Sequence, residues 1–209
     1  MMLKWACFIS YRVGKGALAS GIVKDFYEKL SNEVELQSEG GVYLSEANLN
    51  PGDVLDPALE TELCRSACMV VLFTATYFSR THPYCTREYL AMRNLETKRL
   101  GKLGLSVSKQ HGLIIPVVLR NLDQMPAEMT KRVWSDLQEF QEAESGIARP
   151  KSYFDEIRKL GSYIAARYRE LSALSSDEDP CHEFEFPDEQ TVLAFLSDVM
   201  EAQKAKASS

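Results

Sequence analysis

Long apolar runs are missing from this chain. Its strongly apolar stretches, near 69–74 and 113–119, are far shorter than the roughly 20 residues that a membrane-spanning helix needs, so no bilayer span is expected. A basic-then-apolar leader with a cleavage site is also absent at the amino terminus, and the expected setting is the cytoplasm with reduced thiols. Histidine is scarce, at three residues (His82, His111, His182), and the five cysteines are an odd number without the spacing of a disulfide framework. Cys64 and Cys68 lie four apart where a helix is expected to run into a strand. With no further ligands nearby they read as apolar packing and not as a metal site. Positive charge is in deficit, 24 Lys and Arg against 30 Asp and Glu for a net −6, which excludes a broad phosphate-binding face and makes nucleic acid an unexpected partner. The nearest basic cluster, Lys98, Arg99 and Lys102, reads as a solvated helix end. Gly14-Lys15-Gly16 lacks the spacing of a phosphate-binding loop or a dinucleotide fingerprint and reads as a flexible strand-to-helix turn. No internal repeat is present.

What the chain does contain is strands alternating with helices. An apolar run, Trp5 to Tyr11, predicts a buried strand. Leu18, Ile22, Phe26 and Leu30 then recur every four residues and predict an amphipathic helix over 17–30. A second strand is expected at Val42–Leu44. Asn50-Pro51-Gly52-Asp53 has turn chemistry, and Pro57 suits the first position of a helix capped by Asp56. Met69–Thr74 is a third strand, a helix starts near Tyr84, and 101–111 reads as a flexible connector. Leu113–Leu119 is a fourth strand, and 134–140 holds a short fifth. Tyr153–Leu171 is a helix with Phe154, Ile157, Leu160, Ile164 and Tyr168 on one side. Such alternation implies right-handed crossovers and a mainly parallel sheet covered on both faces.

From Ser172 the character changes. An acidic linker, Ser175-Ser176-Asp177-Glu178-Asp179-Pro180, precedes one more short amphipathic pattern running from Val192 to Met200. That helix either packs back onto the domain or serves as a docking element. Lys204–Ser209 is expected to be unstructured. The expected division is 1–172 for the domain and 173–209 for linker and helix.

Four motifs stand in order. They are Cys7-Phe8-Ile9-Ser10-Tyr11-Arg12 and Val42-Tyr43-Leu44-Ser45-Glu46 leading to Asn50-Pro51-Gly52-Asp53. After these come Tyr77-Phe78-Ser79 with Cys85-Thr86-Arg87-Glu88, and Leu113-Ile114-Ile115-Pro116-Val117-Val118-Leu119. Together, over residues 4–172, they resemble the Toll/interleukin-1 receptor (TIR) domain family, and most of all its NAD-cleaving branch. The resemblance implies a flavodoxin-like α/β fold, with a mostly parallel five-stranded sheet, helices on both faces and a C-terminal helical extension.

The same resemblance assigns catalysis to Glu88. Nicotinamide leaves NAD as an already cationic group, so its departure needs no proton donor, unlike ordinary glycoside cleavage. It needs stabilisation of an oxocarbenium-like ribose, which one carboxylate can supply. On the residues alone, the exposed helix carboxylate paired with Arg87 is the favoured reading of Glu88. Tyr11, Arg12, Ser45 and Tyr84 are the implied substrate contacts. Ser45 stands where relatives often carry aspartate, and the loop after Gly52 lacks their usual aromatic. Control by self-association is implied through a loop containing Asn48, Pro51, Gly52, Asp53 and Val54. A separate sensor or product-reading effector and a role in antiviral defence fit the same picture. NAD is then a substrate, and no cofactor or metal is expected. The alternatives are a non-catalytic TIR adaptor acting through homotypic contacts and a related nucleoside-processing enzyme.

Overall fold

Five strands, all paired in parallel, form one sheet in the order β2–β1–β3–β4–β5. The computed structural model describes residues 3–12, 17–44, 55–103, 112–140, 149–174, 181 and 184–207, and the side chains of 17–20, 55–56 and 206–207 lie outside that description. The strands are β1 (Trp5–Tyr11), β2 (Gly41–Tyr43), β3 (Ser66–Phe73), β4 (Ile114–Val118) and β5 (Ser135–Asp136). The helices are α1 (Ala17–Glu35), α2 (Leu55–Cys64), α3 (Tyr84–Leu103), α4 (Ala127–Thr130), α5 (Lys151–Ser172) and α6 (Glu189–Ala207).

The central strands are buried along their length. All eight residues of β3 and all five of β4 are buried, as expected for parallel strands covered on both faces. One pair of covering helices is α1 and α5, whose close approach depends on Gly161: a Cβ there would stand 2.8 Å from Glu33 Cβ. The other pair is α2 and α3. Because every pairing is parallel, the carboxyl ends of the strands share one edge of the sheet.

Several boundaries differ from expectation. The first helix runs five residues further, to Glu35, because Val34 continues its buried stripe. The second begins at Leu55, so Pro57 is its third residue; its missing N–H falls in the first turn, where no intrahelical acceptor is lost. The fifth strand is only Ser135–Asp136, since the Asp136 carboxylate accepts from Gln138 N at 3.0 Å and the chain turns into a 3-10 helix over Gln138–Phe140. On α5, Tyr153 and not Phe154 faces the core, Phe154 being 38% exposed. The expected connector at 101–111 is helical to Leu103, and residues 104–111 lie outside the described set.

Two corrections concern chemistry. Cys64 is not a packing thiol: it forms a disulfide with Cys181, with a Cα–Cα distance of 5.8 Å across 117 residues of sequence. Sequence spacing held no sign of it, because only the folded chain brings the segment before α6 against the end of α2. Cys7, Cys68 and Cys85 are free and buried. Arg99 is not a solvated helix end; it is 5% exposed and donates to Cys64 O at 2.5 Å and Ser66 O at 2.6 Å. It satisfies carbonyls left unpaired where α2 ends and β3 begins.

The C-terminal helix packs back. Val192, Leu196 and Val199 are buried, and the Phe195 ring meets Phe78 at 5.3 Å and Tyr89 at 5.8 Å. Arg80 donates to Ser197 Oγ at 2.8 Å, and Gln203 donates to Gln124 O at 2.8 Å. Helical structure continues to Ala207, so Lys204–Ala207 is ordered contrary to expectation.

Candidate functional site

Glu88 is the only carboxylate on α3 that points to the carboxyl edge of the sheet from the first turn and a half of the helix, and it is buried, 8% exposed. Burial follows from its position. Cys85, Glu88, Tyr89 and Met92 recur at helical spacing and form the face of α3 laid against the sheet. The alternative of an exposed surface pair with Arg87 is overturned, since Arg87 turns away and lies over the Phe186 ring at 5.3 Å.

The partner of Glu88 comes from β1. Ser10 Oγ donates to Glu88 Oε2 at 2.6 Å and lies 2.6 Å from the Tyr77 hydroxyl. Tyr77 Oη is also 3.4 Å from Cys85 O. Desolvation raises the Glu88 carboxyl from 4.5 to about 7, and the Ser10 hydrogen bond opposes that rise only in part. Burial likewise holds the Tyr77 phenol and the Cys85 thiol well above their ordinary values, so both stay protonated at neutral pH. The site therefore joins one desolvated carboxyl to a run of neutral hydroxyls, and among the described residues it contains no cation paired to that carboxyl. Once ionised and uncovered, a carboxyl of this kind can stabilise a cationic species.

The other expected residues fall at varied distances from this centre. Arg12 follows β1 and donates to Thr76 O at 2.9 Å in the β3–α3 loop; its charge acts on Cys85, one turn before Glu88. Tyr11 ends β1 and packs against the core. Strand alternation turns it to the opposite face of the sheet from Ser10. Tyr84 opens α3 one turn before Glu88, but it is 48% exposed where Glu88 is covered. It stands at the rim, not over the carboxyl. Ser45, Asn48, Pro51, Gly52, Asp53 and Val54 all lie outside the described residues.

Ser10 and Tyr77 were not among the residues expected to act. The signal for Ser10 was available, as the one aliphatic hydroxyl among mostly apolar neighbours in a buried strand. Tyr77 stands in the Tyr77-Phe78-Ser79 motif, but its pairing with Ser10 was not signalled, because only the fold brings the loop after β3 beneath α3. A cavity bounded by Ile22, Phe26, Leu119, Leu137, Phe140, Arg149 and Tyr153 is small and apolar, and none of the site residues lines it.

A family model described as "TIR domain" matches residues 8–149. Among solved structures, the chain is similar to the TIR domain of the Toll-related receptor TRR-2 from Hydra magnipapillata, at 12% identity and a TM-score of 0.45, covering 80% of this chain and 98% of that one. It is also similar to the TIR domains of the activated Roq1 resistosome directly recognizing the pathogen effector XopQ, at 16% identity and a TM-score of 0.39, covering 92% of this chain and 98% of that one. No curated protein sequence matches.

Proposed function

The chain belongs to the Toll/interleukin-1 receptor (TIR) domain family, and from that premise we propose that it is an NAD glycohydrolase. The C1′–N bond between ribose and nicotinamide breaks, and its electron pair neutralises the ring nitrogen. Water then adds to C1′ and releases a proton, giving ADP-ribose, or an internal nucleophile closes a cyclic isomer. Glu88, as carboxylate, stabilises the ribosyl cation and holds ribose hydroxyls. On the same family resemblance Arg12 attracts a phosphate at the end of β1, Tyr84 packs on the nicotinamide end from the rim and Ser45 completes the substrate contacts, while Tyr11, on the opposite face of the sheet from Ser10, stays with the core.

The observation that carries this proposal is the Glu88 carboxyl itself, desolvated, unpaired with any described cation and seated on the edge of a parallel sheet where ligands bind. It is also covered as it stands, so reaction requires its uncovering. Self-association, through the loop containing Asn48, Pro51, Gly52, Asp53 and Val54, would supply that step by favouring the uncovered form. A role in antiviral defence, with a separate sensor or product-reading protein, fits an enzyme whose resting state is closed. The burial of Glu88 also favours a second reading, an adaptor that keeps the carboxyl as a core group and acts by TIR–TIR contact.

The test is nicotinamide release from NAD by concentrated protein under crowding, native chain against Glu88→Ala. Loss of a single transition-state charge interaction should lower kcat by about 100-fold or more. Release that persists in the mutant removes Glu88 from the mechanism. No release from assembled native protein favours the adaptor.

A further inference from the structure

We infer that Ser10 and Tyr77 are positioning residues for Glu88, a chain of two hydroxyls that fixes the carboxyl orientation and the pH at which it becomes a carboxylate. The inference rests on the proposed role of Glu88 for its catalytic meaning, and on the geometry alone for its electrostatic meaning.

Three separate elements converge on this chain: Ser10 on β1, Tyr77 in the loop after β3, and Glu88 on α3. Ser10 is 1% exposed and Tyr77 0%. Buried hydroxyls are costly unless paired, and these are paired in either protonation state of Glu88. With Glu88 ionised, Tyr77 donates to Ser10 and Ser10 donates to the carboxylate, both at 2.6 Å. With Glu88 protonated, its O–H donates to Ser10, Ser10 donates to Tyr77, and Tyr77 donates to Cys85 O at 3.4 Å. Each proton count has a complete chain, and the switch needs only rotation of hydroxyls.

The two chains are unequal. The ionised state has two short bonds ending on a charge, each polarising the next. The neutral state ends on a long bond to a peptide carbonyl. The hydroxyls therefore favour the carboxylate, against the desolvation that favours the acid. The titratable groups facing Glu88 do not replace them. Tyr77 and Cys85 stay protonated, Tyr89 acts on Tyr77, and the Arg12 guanidinium acts on Cys85 from the end of β1. Phe195 of α6 presents only an apolar ring on the far side of Tyr89.

The test is a side-chain carboxyl titration by 13C NMR on the full chain labelled at glutamate, between pH 5 and 9. The Glu88 signal is assigned by its loss in Glu88→Gln. The native midpoint is expected near 7. Ser10→Ala should raise it by about one unit, a tenfold change in the protonation equilibrium. Ser10→Thr, which keeps the hydroxyl, should restore it, and Tyr77→Phe should give a smaller rise of the same sign. A folded Ser10→Ala protein with the native midpoint overturns the inference; if that variant does not fold, an unshifted midpoint in folded Tyr77→Phe does so. The pH profile of nicotinamide release separates the two proposals. Release whose profile moves with the NMR midpoint supports both, while shifted midpoints with no release at any pH sustain the positioning role and sink the glycohydrolase. Release with an unmoved profile in Ser10→Ala overturns the positioning role alone.

Discussion

Glu88 burdens the fold at the pH where it would work. Its carboxyl titrates near 7 in the native state against 4.5 when solvated. Below pH 4.5 it is protonated in both states and its burial is free of charge cost. Between 4.5 and 7 the unfolded chain has released a proton that the native chain retains, so stability falls as pH rises through that window. The loss is about 1.4 kcal/mol per unit, roughly 3 kcal/mol in all, and is constant above pH 7. Glu88→Gln keeps an acceptor for Ser10 and carries no charge. Its melting temperature should exceed that of the native chain at pH 8, with the gap closing by pH 4.5. Equal melting at pH 8 would mean that the native carboxyl is solvated and not buried against Ser10. At this scale the sequence was partly legible. Glu88 is marked by the Cys85-Thr86-Arg87-Glu88 pattern, whereas Ser10 stands in the first-strand motif with no role attached to it. Tyr77 and Arg99 were not legible, since a phenol under a helix and a guanidinium clamping Cys64 O and Ser66 O are products of tertiary contact.

Elements held by periodicity were read well and elements held by a single junction were not. β1 spans Trp5–Tyr11 as its apolar run predicts, and α3 begins at Tyr84 as expected. β5 shrank because Asp136 caps the following turn with its own side chain, a local competition that residue composition does not rank. The largest difference is the attachment of α6, fastened by Cys64–Cys181 as well as by its apolar stripe. The bond closes a loop of 117 residues. Loop-closure entropy on that scale is worth about 2–4 kcal/mol as typically measured. Cys181→Ser should therefore lower the midpoint of chemical unfolding under oxidising conditions and leave it unchanged under strong reductant, where the native chain should fall to the same value. If the native chain unfolds identically with and without reductant, the disulfide does not form in solution, and the apolar contacts of α6 are its whole anchorage.

Across the whole molecule, the helix that carries Glu88 lies between two supports. Glu88 on α3 is held by Ser10 of β1, and the same helix is flanked by α6, where Phe195 packs on Phe78 and Tyr89 and Arg93 lies over the Phe195 ring at 5.6 Å. The sheet is formed without α6: β1 and β3 are flanked on both sides, and among the described residues no strand pairs with the tail. Truncation after Leu174 should therefore leave a cooperative fold, but one stripped of the cover over Phe78 and Tyr89. Burial of Phe186, Val192, Leu196 and Val199 contributes on the order of 5 kcal/mol at roughly 1.5–3 kcal/mol per side chain less the entropy of ordering the helix. That is a large share of a typical domain stability of about 5–15 kcal/mol. The truncated chain should keep its far-ultraviolet circular dichroism, melt well below the full chain and bind a hydrophobic dye at temperatures where the full chain does not. An unchanged melting temperature would show that α6 contributes no stability to the domain and would favour its alternative role as a docking element for a partner. Complete unfolding would show instead that the TIR sheet depends on its extension, and that α6 belongs to the core on which the placement of Glu88 rests.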